Sequence, residues 1–285
     1  GLVVALLVLF IAVSAGAYPV VRRLTRQLEA LKRGVETFGA GQLHHRVSVS
    51  GRDEVAAVAA SFNQAADRIE ALVRSHQSLL ANASHELRSP LARLKMALSL
   101  LETASPESRA SLMQEIGNNI RELDALVEEV LLASRLDAAP RLDRHDPVHL
   151  LALAAEEGAY VDARVEGTDA MVRGDERLLR RALRNLLENA RRYGGSEPIE
   201  VSVTVEGQDA VVRVCDRGPG VPEDQRERIF EPFYRMPGHA EHAGGVGLGL
   251  SLVRQIAERH RGQARCERRE GGGSCFSLRL PLAAA

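Results

Sequence analysis

His85 is followed directly by Glu86, and Ser89 stands one helical turn further along. An imidazole is a nucleophile, and a neighbouring carboxylate can take its proton. The three lie in the string SHELRSPL (84–91), among leucines at 80, 87, 91, 94, 98 and 101. Their alternating spacing of three and four predicts one stripe of a helix, a coiled-coil-like seam. His85 comes one position after Ser84 of the seam, so its ring is expected on the solvent-reachable flank. Pro90 removes a backbone donor and predicts a kink. A histidine on a charged helix face is more often merely solvated. A phosphate acceptor needs a phosphate donor elsewhere in the chain.

Candidates for that donor site follow much later. Asn185, Asn189 and Arg192 recur at helical spacing on a polar stripe. Two amide oxygens one turn apart suit a hard cation beside phosphates, and Arg192 supplies positive charge. Asparagine is a poor helix former, so a solvated face explains the pair less well. Asp216-Arg217-Gly218-Pro219-Gly220 closes a strand-like run, where a carboxylate could accept from an exocyclic amino group. Alone, such a string is also an ordinary turn. Gly244 to Leu250 is a glycine-rich loop opening a helix, which presents N–H groups and the positive end of the helix dipole to phosphates. It has neither the lysine of a P-loop nor dinucleotide-fingerprint spacing.

These residues need elements to hold them. The chain has 285 residues and a net charge of -1, enough for about two domains and without the basic surface of a nucleic-acid binder. Residues 1–21 are uncharged and apolar, long enough to span a bilayer, and Arg22, Arg23, Arg26, Lys32 and Arg33 follow, which places the downstream side in the cytoplasm. The run has no charged region before it, unlike a signal peptide, and opens without Met, which reads as a piece of a longer protein. Leu24, Leu28, Leu31, Val35 and Phe38 form one stripe and Val55, Val58, Phe62, Ala65, Ile69 and Leu72 another, separated by a helix-breaking connector over 39–51. The second stripe is out of heptad phase with the Leu80–Leu101 seam by one residue, so the supercoil must adjust between Leu72 and Leu80 or shortly after. A turn at 104–107 and a stripe of Ile116, Leu123, Val127 and Val130 make a hairpin that two copies would bury as a four-helix bundle.

From about Val148 helix and strand alternate. Met171 to Gly174 reads as a strand, Asp175 as a helix N-cap, Ile199 to Val205 and Ala210 to Cys215 as a β-hairpin, and Cys275 to Leu280 as the closing strand. The three cysteines (Cys215, Cys266, Cys275) have no CxxC spacing and are expected to be reduced packing residues.

Taken in order, these strings resemble a membrane-bound sensor histidine kinase of bacterial two-component systems. Pro19, Gly41, Leu43, Val47 and Asp53-Glu54 resemble the HAMP linker, and SHELRSPL resembles the phosphoacceptor box. RNLLENARRYG resembles the asparagine box, DRGPG and GVGLGL the two glycine boxes, and FEPFYR (230–235) the phenylalanine box. The resemblance implies a multi-domain chain: a transmembrane helix (1–21), a HAMP helical linker (22–74), a dimeric four-helix phosphotransfer bundle (75–139) and an α/β-sandwich ATPase domain (140–285). It implies that His85 is phosphorylated from ATP, that Glu86 is its base, and that a cognate response regulator accepts the phosphoryl group. Ser89 is implied in the reverse reaction on the regulator. Asn185 and Asn189 would hold Mg²⁺ and Arg192 a phosphate, Tyr193 would lie near adenine, Asp216 would meet it, and Gly218 and Gly220 would also belong to the nucleotide site. Gly245, Gly247, Leu248 and Gly249 would follow the phosphates. Arg192 stands where lysine is usual, keeping charge but changing geometry. The implied setting is a homodimer in the bacterial inner membrane with its catalytic part in the cytoplasm, binding no nucleic acid.

Two rival readings fit these residues less well. Clamp and chaperone ATPases with a similar nucleotide domain carry a glutamate where Asn185 stands, and that reading leaves His85 and the apolar helix unexplained. A silent scaffold would have no reason to keep these motifs together.

Overall fold

The computed structural model describes all residues except 49–50, 52, 104, 139–143, 237–246 and 284–285. It divides into two compact units, Gly1–Ser78 and Leu79–Ala285.

In the first unit, α1 (Leu2–Gly39) carries the apolar run and the first stripe on one helix. It is long and apolar enough to cross a membrane, by length and composition. The connector returns along it. Gly34 is buried against Val47, where a side chain would collide with the valine. Asn63 pins that strap by accepting from the Val47 N–H (2.9 Å) and donating to its carbonyl (2.8 Å). Arg46 pairs with Asp67 and Glu70, and Phe38 meets Phe62 edge to face, ring centres 5.6 Å apart. Asp53 caps α2 (Glu54–Leu101) by accepting from the Ala56 N–H at 2.9 Å. On this part of α2 the buried residues are Ala56, Ala59 and Ala66, while Val58, Ile69 and Leu72 of the expected stripe are exposed. The small alanine edge packs within the chain, with Val55 and Phe62 half-buried beside it, and Val58, Ile69 and Leu72 remain outside.

In the second unit, the later part of α2 packs on α3 (Pro106–Ala138). Leu79, Ala83 and Ala97 are buried, with Leu126, Ala133 and Leu136 of α3. Arg93 crosses between the helices to the buried Asn119 (2.9 Å) and to Glu122 (2.6 Å). The leucine seam lies one position off the buried edge: Leu80, Leu91 and Leu98 are 59, 44 and 48% exposed. Helical assignment continues through Pro90.

The remainder is a two-layer α/β sandwich. A small sheet pairs β1 (Asp146–His149) antiparallel with β3 (Met171–Gly174). The main sheet runs β2-β4-β5-β7-β6, from β2 (Arg164–Gly167), β4 (Glu200–Glu206), β5 (Asp209–Cys215), β6 (Gln263–Arg268) and β7 (Ser274–Pro281). Among the described strands only the β2–β4 pair is parallel. Three helices, α4 (Leu150–Ala159), α5 (Glu176–Tyr193) and α6 (Gly249–Arg259), supply the second layer. The alternating inward residues Val201, Val203, Val212, Val214, Leu278 and Leu280 share one core with Leu183, Leu186, Leu252 and Ile256. Full burial of each such side chain contributes about 2 kcal/mol. Asp175 caps α5 as its sequence predicts, accepting from the N–H groups of Arg177 (2.9 Å) and Leu178 (3.3 Å).

The cysteine expectation is corrected. Cys215 and Cys275 face each other across β5 and β7 and form a disulfide over a separation of 60 residues. No local spacing could show this, because the pairing is set by strand register. Cys266 is free and buried, and burial pushes its thiol up to about 12.

Candidate functional site

α5 presents its polar stripe at one end of a cavity of about 430 Å³. Asn185 is 6% exposed, and its amide nitrogen donates to the Gly249 carbonyl at 3.1 Å. That bond joins the middle of α5 to the start of α6 and turns the amide's donor side away, leaving its oxygen as the group available to a ligand. Asn189 and Tyr193, each half-buried, and the exposed Arg192 continue the wall.

A second part of the wall begins where β5 ends. Asp216 is 5% exposed, and its Oδ1 accepts from the N–H groups of Gly218 (2.8 Å) and Ser274 (3.3 Å). Its own N–H donates to the Ser274 carbonyl at 2.9 Å. Arg269 holds the same turn from behind, donating to the Asp216 carbonyl at 3.3 Å and pairing with Glu200 at 2.7 Å. A carboxylate held at one oxygen by two backbone donors is aimed before any ligand arrives. Gly218 is required by close approach, since a side chain there would strike the Tyr193 carbonyl.

The phenylalanine-containing segment and the second glycine string close the far end. Phe233 N–H donates to the Gly247 carbonyl at 2.9 Å, and Gly247 takes φ +77 hard against the Phe233 backbone. Leu248 is fully buried and Gly249 opens α6. Tyr234 and Met236 line the cavity, and Arg228 stacks over the Tyr234 ring at 4.5 Å. Gly245 lies outside the described residues.

A divalent cation fits this donor set in one way. No group of three or more His, Cys, Asp or Glu side chains able to hold a metal occurs among the described residues. The neutral amide oxygens of Asn185 and Asn189 would be partial ligands only, of the kind completed by phosphate oxygens and water.

The structure thus brings Asn185, Asn189, Arg192, Tyr193, Asp216, Gly220, Gly247 and Gly249 around one cavity, with Gly218 and Leu248 packed behind it. It does not bring the helical pair there. His85 and Ser89 are exposed and Glu86 half-buried on α2, and no described residue of α2 lines the cavity. The helical hairpin contributes instead through α3: Arg121, Ala125, Leu126 and Glu129 form part of the wall. Sequence reading missed these, as it missed Ser274 and Arg269. The glycines at 271–273 were the only local hint that a backbone passes close to Asp216.

Most of the sandwich, with its cavity between α5 and the start of α6, lies in the part of the chain that matches one ATPase superfamily. Residues 174–284 match the histidine kinase-, DNA gyrase B- and HSP90-like ATPase family, residues 75–139 the His Kinase A (phospho-acceptor) domain, and residues 20–71 the HAMP domain. The chain is 36% identical over 291 residues to the sensor protein RstB of Escherichia coli, covering 97% of this chain and 65% of RstB. It is 32% identical over 295 residues to the sensor protein CutS of Streptomyces coelicolor, covering 98% of this chain and 70% of CutS. Among solved structures, full-length ShkA in complex with AMPPNP matches with a TM-score of 0.53 at 26% identity, covering 73% of this chain and 46% of that one. The chain belongs to the HAMP-containing sensor histidine kinases.

Proposed function

We propose that this chain binds ATP in the cavity beside α5, transfers the γ-phosphoryl group to His85, and passes it to an aspartate of a cognate response regulator. The observation that carries the reading is the convergence of three distant segments, around Asn185–Tyr193, Asp216–Gly220 and Gly247–Gly249, on one cavity in a chain that also exposes His85, with Glu86 half-buried next to it.

The roles follow from the groups present. Asp216, held at Oδ1, offers its other oxygen to the exocyclic amino group of adenine, and Tyr193 covers the base. The amide oxygens of Asn185 and Asn189 would hold Mg²⁺, which when bound neutralises phosphate charge. Arg192 adds positive charge, and the first N–H groups of α6 point toward phosphate oxygens. At the acceptor, Glu86 takes the imidazole proton as the N–P bond forms and ADP leaves. Little covalent work remains beyond positioning and charge neutralisation. Ser89, one turn beyond His85 on the same helix face, is proposed to hold the water that removes phosphate from the regulator.

α1 anchors the chain in the inner membrane, with the basic residues after it on the cytoplasmic side together with the catalytic part. A second copy covers the exposed leucine seam of α2 and the exposed Ile120, Val127 and Leu131 of α3, as a four-helix bundle requires. Incubation with γ-labelled ATP tests the activity: labelled protein in the wild type, and a much reduced rate in Asp216→Asn, are expected. Absence of label from ATP-loaded wild-type protein would refute the reading.

A further inference from the structure

The Cys215–Cys275 disulfide has no part in phosphoryl transfer, yet it lies one residue from the carboxylate that would read adenine. Cys215 ends β5 and is followed by Asp216, while Cys275 follows Ser274, which begins β7. The two residues next to the cysteines exchange both of their bonds: Asp216 N–H to the Ser274 carbonyl, and Ser274 N–H to Asp216 Oδ1. The cross-link and the aspartate's anchorage are thus one local clamp.

The pair is also reachable. Val212, Val214, Phe276 and Leu278 point into the core, so Cys215 and Cys275, at alternate positions, lie on the helix-free face, each half-buried. They stand in one row across the sheet between Glu200 and Glu267. Cys266 is buried on the core side and cannot serve as an internal exchange partner. Disulfides on the cytoplasmic side are rare and, where present, are mostly transient or redox-sensing.

We propose that Cys215 and Cys275 are a reversible redox site that sets nucleotide affinity through Asp216. This rests on the nucleotide reading of the cavity and on the cytoplasmic placement of the domain, both proposed above. A small-molecule thiol or a protein dithiol attacks one Sγ as thiolate, and the S–S bond breaks as a mixed disulfide forms. A second thiol of the reductant resolves it. Two electrons and two protons pass to the cysteines, and the reductant leaves as its disulfide. Bonded, the pair holds the end of β5 against β7 and keeps Asp216 preorganised. Reduced, the turn must be ordered by the nucleotide itself, which weakens binding.

The test uses the full chain in detergent, with ADP or a non-hydrolysable ATP analogue as probe. Reduction by dithiothreitol is expected to weaken binding roughly threefold or more, about 0.7 kcal/mol, and oxidised glutathione to restore it. The Cys215→Ser/Cys275→Ser double variant should stay at the reduced value in both buffers, and Cys266→Ser should behave as wild type. The wild-type comparison stands even if the double variant fails to fold. Equal affinity in both redox states, or a pair that remains bonded in a glutathione buffer of cytosolic composition, would overturn the proposal. Nucleotide binding by neither form would overturn the reading of the cavity itself, and this proposal with it.

Discussion

Glu129 of α3 meets Arg181 of α5 at 3.1 Å, joining the helical hairpin to the central helix of the ATPase sandwich. Burial raises the Glu129 carboxyl above its ordinary range and the Glu188 carboxylate adds to this, while Arg181 and Arg192 oppose them. The pair holds α3 over the cavity, away from which His85 stands on α2. On the proposed transfer to His85 of the same chain, this clasp would have to open.

Arg181→Glu should therefore release the sandwich and raise the initial rate of autophosphorylation. A shift of about 1–2 kcal/mol corresponds to roughly five- to thirtyfold in population. The exchanged pair, Glu129→Arg with Arg181→Glu, should return the rate toward wild type. If the single and the exchanged variants label at the same rate, the contact is incidental.

In the nucleotide site, Asp216→Asn preserves an oxygen for the Gly218 and Ser274 N–H groups but places an amide donor where the proposal needs an acceptor. ATP affinity should fall roughly tenfold or more, the scale of a lost hydrogen bond to a charged group. Asn189→Asp should instead alter the Mg²⁺ dependence of labelling, with ADP affinity measured without metal little changed. Calorimetry giving an unchanged Kd for Asp216→Asn would remove the adenine role.

His260 supplies a pH dependence. It is 6% exposed; its Nδ1–H donates to the Ile256 carbonyl at 2.7 Å and its Nε2 accepts from the Asp175 N–H at 3.1 Å. Burial lowers its pKa below 6.5, opposed by the Ile256 bond and by Asp175 and reinforced by His145. The neutral ring's contribution is complete above the unfolded value of about 6.5 and is lost as pH falls from there through the folded pKa. Thermal unfolding should show stability dropping below about pH 6.5 in the wild type, with a flatter slope in His260→Gln. Loss of the bond to Asp175 should cost about 1–3 kcal/mol at pH 7.5. Equal slopes in the two proteins would show that other groups carry the acid sensitivity.

Ser89 is exposed on the acceptor helix, and its hydroxyl lacks the methyl group that stiffens threonine. Ser89→Thr should raise the rate at which phosphorylated regulator loses its phosphate, by about two- to tenfold for a better-aimed hydroxyl. Ser89→Ala should lower it, and autokinase should change little in either. Unchanged dephosphorylation in both variants would make Ser89 a plain surface residue.

Much of this was legible in the sequence because it is local. The Asp175 cap, the β4–β5 hairpin and the helical spacing of Asn185 and Asn189 depend on residues a few positions apart. What escaped is set by long-range register and packing. Cys215 meets Cys275, Arg269 reaches the Asp216 carbonyl, and Asn185 reaches Gly249 only after the sheet and helices have assembled. The helical stripes are a different matter. Leucine and valine spacing marks apolar faces, but not which face a single chain buries. Here alanines at 56, 59, 66, 83 and 97 take the inner edge of α2 with Leu79, and Val58, Ile69, Leu72, Leu80, Leu91 and Leu98 stay outside.

The most direct measurement is acid lability of the label in wild type and His85→Gln. A phosphoryl group on imidazole nitrogen is lost in acid and survives base. The wild type should incorporate acid-labile label from γ-labelled ATP, and His85→Gln should incorporate none while binding ATP with near wild-type affinity. Label that persists in His85→Gln, or that survives acid, would contradict the assignment of His85 as the phosphoryl acceptor.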